Sequence, residues 1–265
     1  MGTAVVGRGG EQEAPPPLLS LSDLYKTEQK VEPLLEGFIY RGDAIILAGQ
    51  SEVGKSLLSL NLAFALASRN STLFDLPIME HCKVCYVPTE GSLGTVKNRC
   101  LKFGETYKVN ESNLRVYNYL GRTLNRKEDY EAFRKTLETS YFIPDLIIID
   151  TLYMAFDGDI NSNKDATAFG RMYDRVINDY NCAIMLVHHY GKATTTMDGR
   201  IERGGKDVLG ASAWANWATT MFRLRDTDGV KELSVTKDRD DKICFKKLNL
   251  ELIQDPLQFS FLGVE

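Results

Sequence analysis

Short apolar runs recur along the chain and are separated by amphipathic stretches, so two kinds of element alternate. Most of the runs are apolar at successive positions, which is typical of parallel strands that are covered on both faces. The runs predict strands at 44–48, 84–87, 114–119, 146–150, 183–188, 219–224, 232–236 and 243–250. The amphipathic stretches predict helices near 56–68, 92–104, 127–139 and 165–180.

The order of these elements predicts the fold class. Strands and helices alternate as far as residue 219, which favours an α/β fold with a mainly parallel twisted sheet flanked by helices. Beyond 219 the helical signals stop and several strands follow one another closely. We therefore predict a C-terminal antiparallel extension on one edge of the sheet.

Three segments of different composition divide the chain. Residues 1–17 contain glycine, glutamate and a triple proline, and we expect them to form a disordered N-terminal tail because they have little to bury. Residues 18–40 form an amphipathic lead-in that we expect to pack on the core or on a neighbouring subunit. Residues 41–265 carry the alternating elements, and their length is that of one domain.

Composition favours a cytoplasmic protein. No window approaches the ~20 apolar residues of a membrane span, so we expect no membrane association. Five scattered cysteines indicate reduced thiols, and the pair at Cys82 and Cys85 lacks the second ligand pair that a zinc site needs. The net charge is −4. Any contact with nucleic acid must therefore come from local loops, since the chain as a whole has no basic footprint.

A phosphate-binding motif follows the first predicted strand. GQSEVGKS at 49–56 fits G-x-x-x-x-G-K-[ST], with an apolar strand before it and a helix after it. Backbone N–H groups of such a loop, together with the helix N-terminus, form a site for nucleotide phosphates. We predict that ATP binds to Gly49, Gln50, Ser51, Glu52, Val53, Gly54, Lys55, Ser56 and Leu57.

Polar side chains end three further predicted strands. Asp150 ends the run LIIID, and with the Ser56 hydroxyl it is the candidate ligand set for Mg²⁺. Glu90 follows VCYVPT and could orient the water that attacks the γ-phosphate, or it could be a solvated loop residue. His188 and His189 end AIMLV, and one of them is the candidate sensor of the γ-phosphate.

Two groups of cations are candidates for contacts outside the nucleotide. The glycine-rich segment 191–210 is either a DNA-backbone contact or an ordinary solvated loop, with candidate DNA-binding residues Lys192, Arg200, Arg203 and Lys206. Lys237 and Arg239 stand two apart near the end of a strand, which puts both side chains on one face. They could reach the nucleotide of a neighbouring subunit, or they could mark an exposed strand end.

The motifs together resemble a known family. GQSEVGKS, YVPTEGS, LIIIDT and LVHHYGK, then a glycine-rich loop, GASAW and TKDRD, occur in this order. The set resembles the RepA-type hexameric replicative DNA helicases, which are RecA-like P-loop ATPases similar to AAA_25 proteins and related to the DnaB helicases. The resemblance covers roughly 34–261. The HH-x-GK block followed by G-x-S is its most specific part.

The resemblance implies a RecA-like core that uses ATP and Mg²⁺, with Asp150 as the Walker B acid. It implies a homo-oligomer, a hexameric ring, that binds single-stranded DNA and works with a replication or loader protein. It also implies that 191–210 faces DNA, and it assigns catalytic roles to Lys55, Glu90, His188 or His189, Lys237 and Arg239. Arg223 competes with Arg239 for the role of arginine finger, and Asn216 stands where the family often has an aspartate.

Two functions from different classes follow. The first is an ATP-dependent ring-forming motor that translocates on single-stranded DNA and unwinds duplex. The second is a non-translocating DNA-organising or partner-loading ATPase that acts as a nucleotide switch in recombination, defence or replication. A small-molecule kinase is disfavoured, because the histidine pair and the trailing strands offer no acceptor pocket or lid.

Overall fold

The computed structural model describes most of the chain. The described side chains belong to residues 18–26, 32–79, 81–118, 123–189 and 211–265, and the backbone is also described at 194–195 and 201–202. The chain divides into two compact units, Met1–Val31 and Glu32–Glu265. In the first unit, helix α1 (Leu21–Leu24) begins after Ser20, whose hydroxyl accepts a hydrogen bond from the backbone N–H of Asp23.

The second unit contains the remaining elements. Its strands are β1 (Pro33–Leu35), β2 (Ile39–Tyr40), β3 (Ala44–Gly49), β4 (Thr72–Leu73), β5 (Leu76–Pro77), β6 (Val84–Pro88), β7 (Leu114–Val116), β8 (Leu146–Asp150), β9 (Ala183–His189), β10 (Thr194–Thr195), β11 (Ile201–Glu202), β12 (Thr220–Thr227), β13 (Val230–Asp238), β14 (Lys247–Gln254) and β15 (Leu257–Val264). Its helices are α2 (Lys55–Ala67), α3 (Leu93–Thr106), α4 (Lys127–Thr139), α5 (Leu152–Ala155), α6 (Asn163–Tyr180) and α7 (Ser212–Trp217).

A nine-stranded sheet organises this unit, in the order β15-β14-β13-β12-β3-β9-β8-β6-β7. The strands from β12 to β7 are parallel, whereas β13, β14 and β15 continue the sheet by antiparallel pairing. The predicted fold class, a mainly parallel sheet with a C-terminal antiparallel extension, is confirmed. We call the side where the parallel strands end the carboxyl edge and the side where they begin the amino edge.

Helices cover both faces of the sheet. Ile45 and Leu47 of β3 pack into one core cluster with α2 and α3, and Ile46 and Ala48 pack into the other with α4 to α7. This alternation follows from the two-residue period of a strand. Most side chains of α2 are buried on every side of the helix, as expected of a helix apolar all round its surface. The parallel strands and α2 therefore form a rigid base for the carboxyl edge.

The C-terminal extension differs in detail from the prediction. The strand predicted at 243–250 begins only at Lys247, because the residues before it form a turn in which Asp238 Oδ2 accepts a hydrogen bond from the backbone N–H of Ile243 at 2.8 Å. The prediction also missed β15, although Asp255 and Pro256 provide a turn signal between β14 and β15. Two more strands, β10 and β11, pair within the glycine-rich segment 191–210, for which no strand was predicted.

Candidate active site

The phosphate-binding motif lies at the carboxyl edge of the central strand β3. The chain leaves the strand at Gly49 and enters α2 at Lys55. Gly54 has a φ of 104°, which glycine adopts without strain. A Cβ on Gly49 would lie 2.6 Å from the carbonyl oxygen of Leu224 on β12, so the close approach of the two strands requires glycine there. The loop is therefore shaped by backbone geometry at both of its glycines.

Lys55 is buried at the centre of this loop. Its Nζ donates to the carbonyl oxygen of Gln50 at 2.6 Å and lies 3.4 Å from His189 Nδ1. Burial lowers the pKa of Lys55 below its usual value, and the nearby carboxylates of Asp150 and Glu90 partly offset that effect. The ammonium group is thus held inside the loop, among the polar groups that end the neighbouring strands.

Asp150 accepts hydrogen bonds on both carboxylate oxygens. Ser56 Oγ donates to Oδ1 at 3.0 Å, and the hydroxyl of Tyr86 donates to Oδ2. Burial raises the pKa of Asp150, whereas the hydrogen bonds from Tyr86 and Ser56 act in the opposite direction because they favour the charged form. The predicted pair of Ser56 and Asp150 is therefore in direct contact.

Glu90 and His189 lie beside this pair. Thr151 Oγ1 donates to Glu90 Oε1 at 2.6 Å, and His189 Nε2 lies 3.9 Å from the same oxygen. Burial and the charge of Lys55 lower the pKa of His189, an effect that Glu90 partly offsets. A lowered pKa favours the neutral imidazole, which can both donate and accept a hydrogen bond. The structure thus brings Lys55, Glu90 and His189 together at one edge.

His188 lies elsewhere. Neighbouring residues of a strand point to opposite faces, so only one of the two histidines can face the phosphate loop. The ring of His188 is fully buried, and its centroid is 6.4 Å from that of Trp214 in the core beneath α7. The prediction left open which histidine belongs to the site, and the geometry brings only His189 to it.

The donor set fits a nucleotide phosphate with Mg²⁺. Among the described residues, no group of three or more His, Cys, Asp or Glu side chains is arranged to hold a metal. Mg²⁺ does not need one, because it is usually bound by one or two protein oxygens together with phosphates and water. The Ser56 hydroxyl and the Asp150 carboxylate supply such oxygens. A cavity of about 170 Å³ lies beside them, lined in part by Tyr86, Glu90 and Arg99.

Comparisons with known proteins identify the family. A family model described as an AAA domain, AAA_25, matches residues 11–195. The chain belongs to the AAA_25 family. No curated protein sequence matches it. A solved structure described as an ATPase domain is similar to this AAA_25 protein, with a TM-score of 0.60, 11% identity and coverage of 91% of this chain and 95% of that one. That similarity confirms the predicted RecA-like fold.

Lys237 and Arg239 of this AAA_25 protein lie at the amino edge. Lys237 on β13 pairs with Met221, which is level with Ile46, and the backbone N–H of Arg239 donates to Thr219. At ~3.3 Å per residue, Arg239 lies roughly 16 Å from the phosphate loop along the strand direction. Both side chains point to one face, as predicted, and donate to backbone carbonyl oxygens of Ala215, Asn216 and Ala218 at the end of α7.

The competing arginine lies nearer the loop. Arg223 on β12 is level with Ala48, one residue from the position of Gly49. The two candidates for the arginine finger therefore stand at different edges of the sheet.

The candidate DNA-binding residues Lys192, Arg200, Arg203 and Lys206 lie outside the residues whose side chains the structure describes, and their role stays a prediction. No helix in the described part of the chain is long and apolar enough to cross a membrane.

Sequence reasoning missed two residues of the site. Tyr86 and Thr151 hold the two carboxylates by hydrogen bonds. Both stand inside the motifs YVPTEGS and LIIIDT, yet neither was assigned a role. A tyrosine within the otherwise apolar strand VCYVP was the available signal, because a buried hydroxyl needs a hydrogen-bond partner. For Thr151, the sequence held no comparable signal.

Proposed function

We propose that this protein is an ATP-hydrolysing motor that assembles into a hexameric ring, binds single-stranded DNA and unwinds duplex DNA. One observation carries the proposal: Lys55, Ser56, Glu90, Asp150 and His189 meet at the carboxyl edge, where open α/β sheets bind their ligands. Family membership and the RecA-like fold support the ATPase part of the proposal. Unwinding and ring formation are inferred from cations outside this site, which are those of the segment 191–210 and the pair Lys237 and Arg239.

The residues divide the chemistry among them. Lys55 and the backbone of the phosphate loop bind the phosphates, while Ser56 and Asp150 hold Mg²⁺. When bound, Mg²⁺ neutralises charge that develops on the phosphate oxygens. Glu90 orients the attacking water and accepts its proton, and the Thr151 hydroxyl keeps that carboxylate in place. His189 contacts both Lys55 and Glu90, so it is positioned to respond to the γ-phosphate.

The link to DNA begins at His189. This residue ends β9, and the glycine-rich segment 191–210 follows it directly along the chain. A change at the γ-phosphate can therefore be passed to a segment that carries four candidate DNA-binding cations. The net charge of −4 does not oppose this, because a ring gathers the cations of six copies in one channel.

Ring formation is inferred from the cations Lys237 and Arg239 at the amino edge. Arg239 stands roughly 16 Å from the phosphate loop of its own chain along the strand direction, and the ammonium group of Lys237 is directed to carbonyl oxygens at the end of α7. Neither cation is therefore placed to act on its own chain's nucleotide. In a head-to-tail ring, the amino edge of one copy can face the carboxyl edge of the next. We therefore assign both cations to the nucleotide of the neighbouring copy, with Arg239 as the finger.

A second candidate function shares the same site. A non-translocating switch ATPase, which organises DNA or loads a replication partner, would also bind and hydrolyse ATP. The carbonyl contacts that engage Lys237 and Arg239 within their own chain favour it. The two candidates differ in whether ATP turnover moves the protein along DNA.

Replacing Lys55 tests the nucleotide assignment. Lys55→Ala should abolish ATP turnover while circular dichroism and the urea midpoint show a folded protein, because this lysine lies on the phosphates and contributes little to the core. Lys135→Ala, which changes an exposed lysine of α4, is the matched control and should turn over ATP at the wild-type rate. Normal turnover by folded Lys55→Ala would remove the assignment.

A forked duplex separates the two functions. The motor should unwind it in the presence of ATP and Mg²⁺, and single-stranded DNA should stimulate its ATPase. The switch should hydrolyse ATP without unwinding, at a rate that responds to a partner protein. Mass measurement with and without ATP belongs beside this assay, since a motor of this kind acts as a ring.

A further inference from the structure

Two hydroxyl groups share the oxygens of one carboxylate at the site. The ring of Tyr86 is fully buried, and its hydroxyl donates to Asp150 Oδ2. Ser56 donates to Oδ1. The carboxylate is therefore held from two sides, at Oδ1 by Ser56 of the phosphate loop and at Oδ2 by Tyr86 of β6.

The sheet itself fixes the position of Tyr86. Pro88 of β6 pairs with Asp150 of β8, and Tyr86 pairs with Ile148, so Tyr86 and Asp150 are diagonal neighbours on the same face. An aromatic side chain spans such a diagonal, which is about 7–8 Å between strands. Both residues belong to fully buried strands. A side chain placed by strand register is held more firmly than one placed by a loop.

We propose that Tyr86 is a positioning residue for the Mg²⁺ site: its hydroxyl fixes the Asp150 carboxylate so that Oδ1 points to Ser56 and the metal. This inference rests on the proposed function. Asp150 binds the metal, and Tyr86 acts only through Asp150. A residue that hydrogen-bonds a metal-binding carboxylate sets its orientation, and loss of such a residue typically weakens metal binding by about 10–100-fold.

The cavity beside the site supports the role of Tyr86 in orienting the Asp150 carboxylate. Tyr86, Asp150 and Ser56 line one cavity of about 170 Å³ together with Glu90. Without the Tyr86 hydroxyl, Asp150 could rotate into that space and lose its alignment with Ser56. The expected defect is therefore in metal binding, and the binding of metal-free nucleotide to the loop and Lys55 should persist.

A purely structural role for Tyr86 predicts a different result. On that view the Tyr86 hydroxyl is a buried group that only needs a hydrogen-bond partner. The hydroxyl of Tyr107, in the same core cluster, is such a group and donates to Asn61 Oδ1 at 2.9 Å. Tyr107→Phe is thus a matched control, because it removes one buried tyrosine hydroxyl of the same cluster but leaves Asp150 untouched. Both substitutions should cost some stability, and only Tyr86→Phe should affect the metal.

The experiment measures Mn²⁺ binding by electron paramagnetic resonance in the presence of a non-hydrolysable ATP analogue. Tyr86→Phe should bind Mn²⁺ about 10–100-fold more weakly than wild type, whereas Tyr107→Phe should match wild type. Fluorescence titration with the metal-free analogue should give equal affinities for all three proteins. In ATPase assays, raising Mg²⁺ should restore much of the turnover of Tyr86→Phe. Should the Phe ring pack poorly, Tyr86→Met carries the same expectation, since it also lacks the hydroxyl.

Equal Mn²⁺ affinity in wild type and a folded Tyr86 variant would overturn the inference and leave the proposed function standing. A parallel loss in Tyr86→Phe and Tyr107→Phe would also overturn it, because the loss would then follow stability. If wild type itself bound no Mn²⁺ with the analogue, the proposed function would fail and the inference with it.

Discussion

At the residue scale, each carboxylate of the candidate site accepts a hydrogen bond from a hydroxyl group. Ser56 donates to Asp150, and Thr151 donates to Glu90. Asp150 and Thr151 are neighbours in sequence, so the end of β8 serves both carboxylates at once. Donors fixed at the start of a helix and at the end of a strand cost little reorganisation when charge develops at the reacting phosphate. The site is therefore largely formed by the fold before any ligand arrives.

Replacing Glu90 by Gln should separate ATP binding from hydrolysis. The Gln side chain can still accept the hydrogen bond from Thr151, but it cannot take the proton of the attacking water. We expect kcat to fall ~10²–10⁴-fold with nucleotide affinity retained. Single-turnover hydrolysis and binding of a fluorescent ATP analogue measure the two quantities.

The control for this variant is Glu105→Gln, which changes an exposed glutamate of α3. It should hydrolyse ATP like wild type. Were Glu90→Gln to hydrolyse ATP at the same rate as this control, the water-orienting group would have to be sought elsewhere, and Glu90 would be a solvated loop residue.

Motifs predicted some of these residues, and strand register decided the others. Lys55 and Asp150 follow apolar runs in recognisable patterns, so their place at the carboxyl edge could be expected. The choice between His188 and His189 depends on which face of β9 meets the phosphate loop. That in turn depends on pairing with β3, which the sequence does not show. The sequence signalled a buried hydroxyl at Tyr86, but its partner Asp150 follows only from the register between β6 and β8.

At the scale of secondary-structure elements, the contact between α6 and α7 influences where the cations Lys237 and Arg239 lie. A Cβ on Gly170 of α6 would lie 2.7 Å from Trp217 Cδ1, so only glycine allows the two helices to come this close. Trp217 Nε1 also donates to Asp174 of α6 at 2.7 Å. Because the end of α7 accepts hydrogen bonds from Lys237 and Arg239, the position of these cations depends on this contact.

Gly170→Ala should therefore destabilise the protein. The added methyl group must displace Trp217, whose indole is tied to Asp174, and overpacking of this kind costs about 1–3 kcal/mol. Gly104→Ala in α3 is the matched control, because its Cβ would meet nothing within 4 Å and the change should stabilise by ~0.4–1 kcal/mol. Urea unfolding measures both. Equal upward shifts of the two midpoints would show that the α6–α7 contact is loose.

Element prediction succeeded where a run was long and uniform. The strand at 146–150 and the helix at 127–139 were predicted with their observed bounds, since a fully apolar run and an amphipathic period are strong signals. Helices α5 and α7 are too short for a period to show. The misplaced start of β14 has another cause: a side chain, Asp238, holds the preceding turn.

At the scale of the whole molecule, the sheet separates two groups of candidate functional residues. The carboxyl edge carries the nucleotide groups, and the amino edge carries Lys237 and Arg239. The sequence predicted the antiparallel extension but not the register between β12 and β13, and that register sets the level of Lys237 and Arg239 in the sheet. A chain with its candidate catalytic carboxylates at one edge and paired cations at the other is suited to assembly in series.

The segment 191–210 should determine DNA affinity. Replacing Arg200, Arg203 and Lys206 together by Glu should weaken binding to single-stranded DNA and flatten its salt dependence, since each lost phosphate contact removes roughly 0.7 from the log–log slope. Basal ATPase should survive, and its stimulation by DNA should disappear. Fluorescence anisotropy over a range of salt concentrations measures the slope.

Other outcomes would favour the switch. If the triple variant bound DNA with wild-type affinity and slope but lost association with a partner protein, the segment would be a docking loop. The case for translocation would then lose its main support, while the nucleotide site would be unaffected.

The last prediction concerns shared sites in the ring. Arg239→Ala and Lys55→Ala should each be inactive alone, the first because its neighbours lack a finger and the second because its own loop cannot hold phosphate. Mixing the two proteins before assembly should recover part of the ATPase. Some interfaces then combine an intact Lys55 from one copy with an intact Arg239 from the next.

The same mixture made with Arg223→Ala distinguishes the two candidate fingers, because Arg223 lies near the carboxyl edge of its own chain and Arg239 lies at the amino edge. If Arg239 is the finger, Arg223→Ala should keep its ATPase activity unmixed, whereas Arg239→Ala should regain activity only in the mixture. The reverse pattern would assign the finger to Arg223. A wild-type protein that hydrolysed ATP at full rate as a monomer would contradict shared sites altogether, since a single copy cannot bring Arg239 to its own phosphate loop.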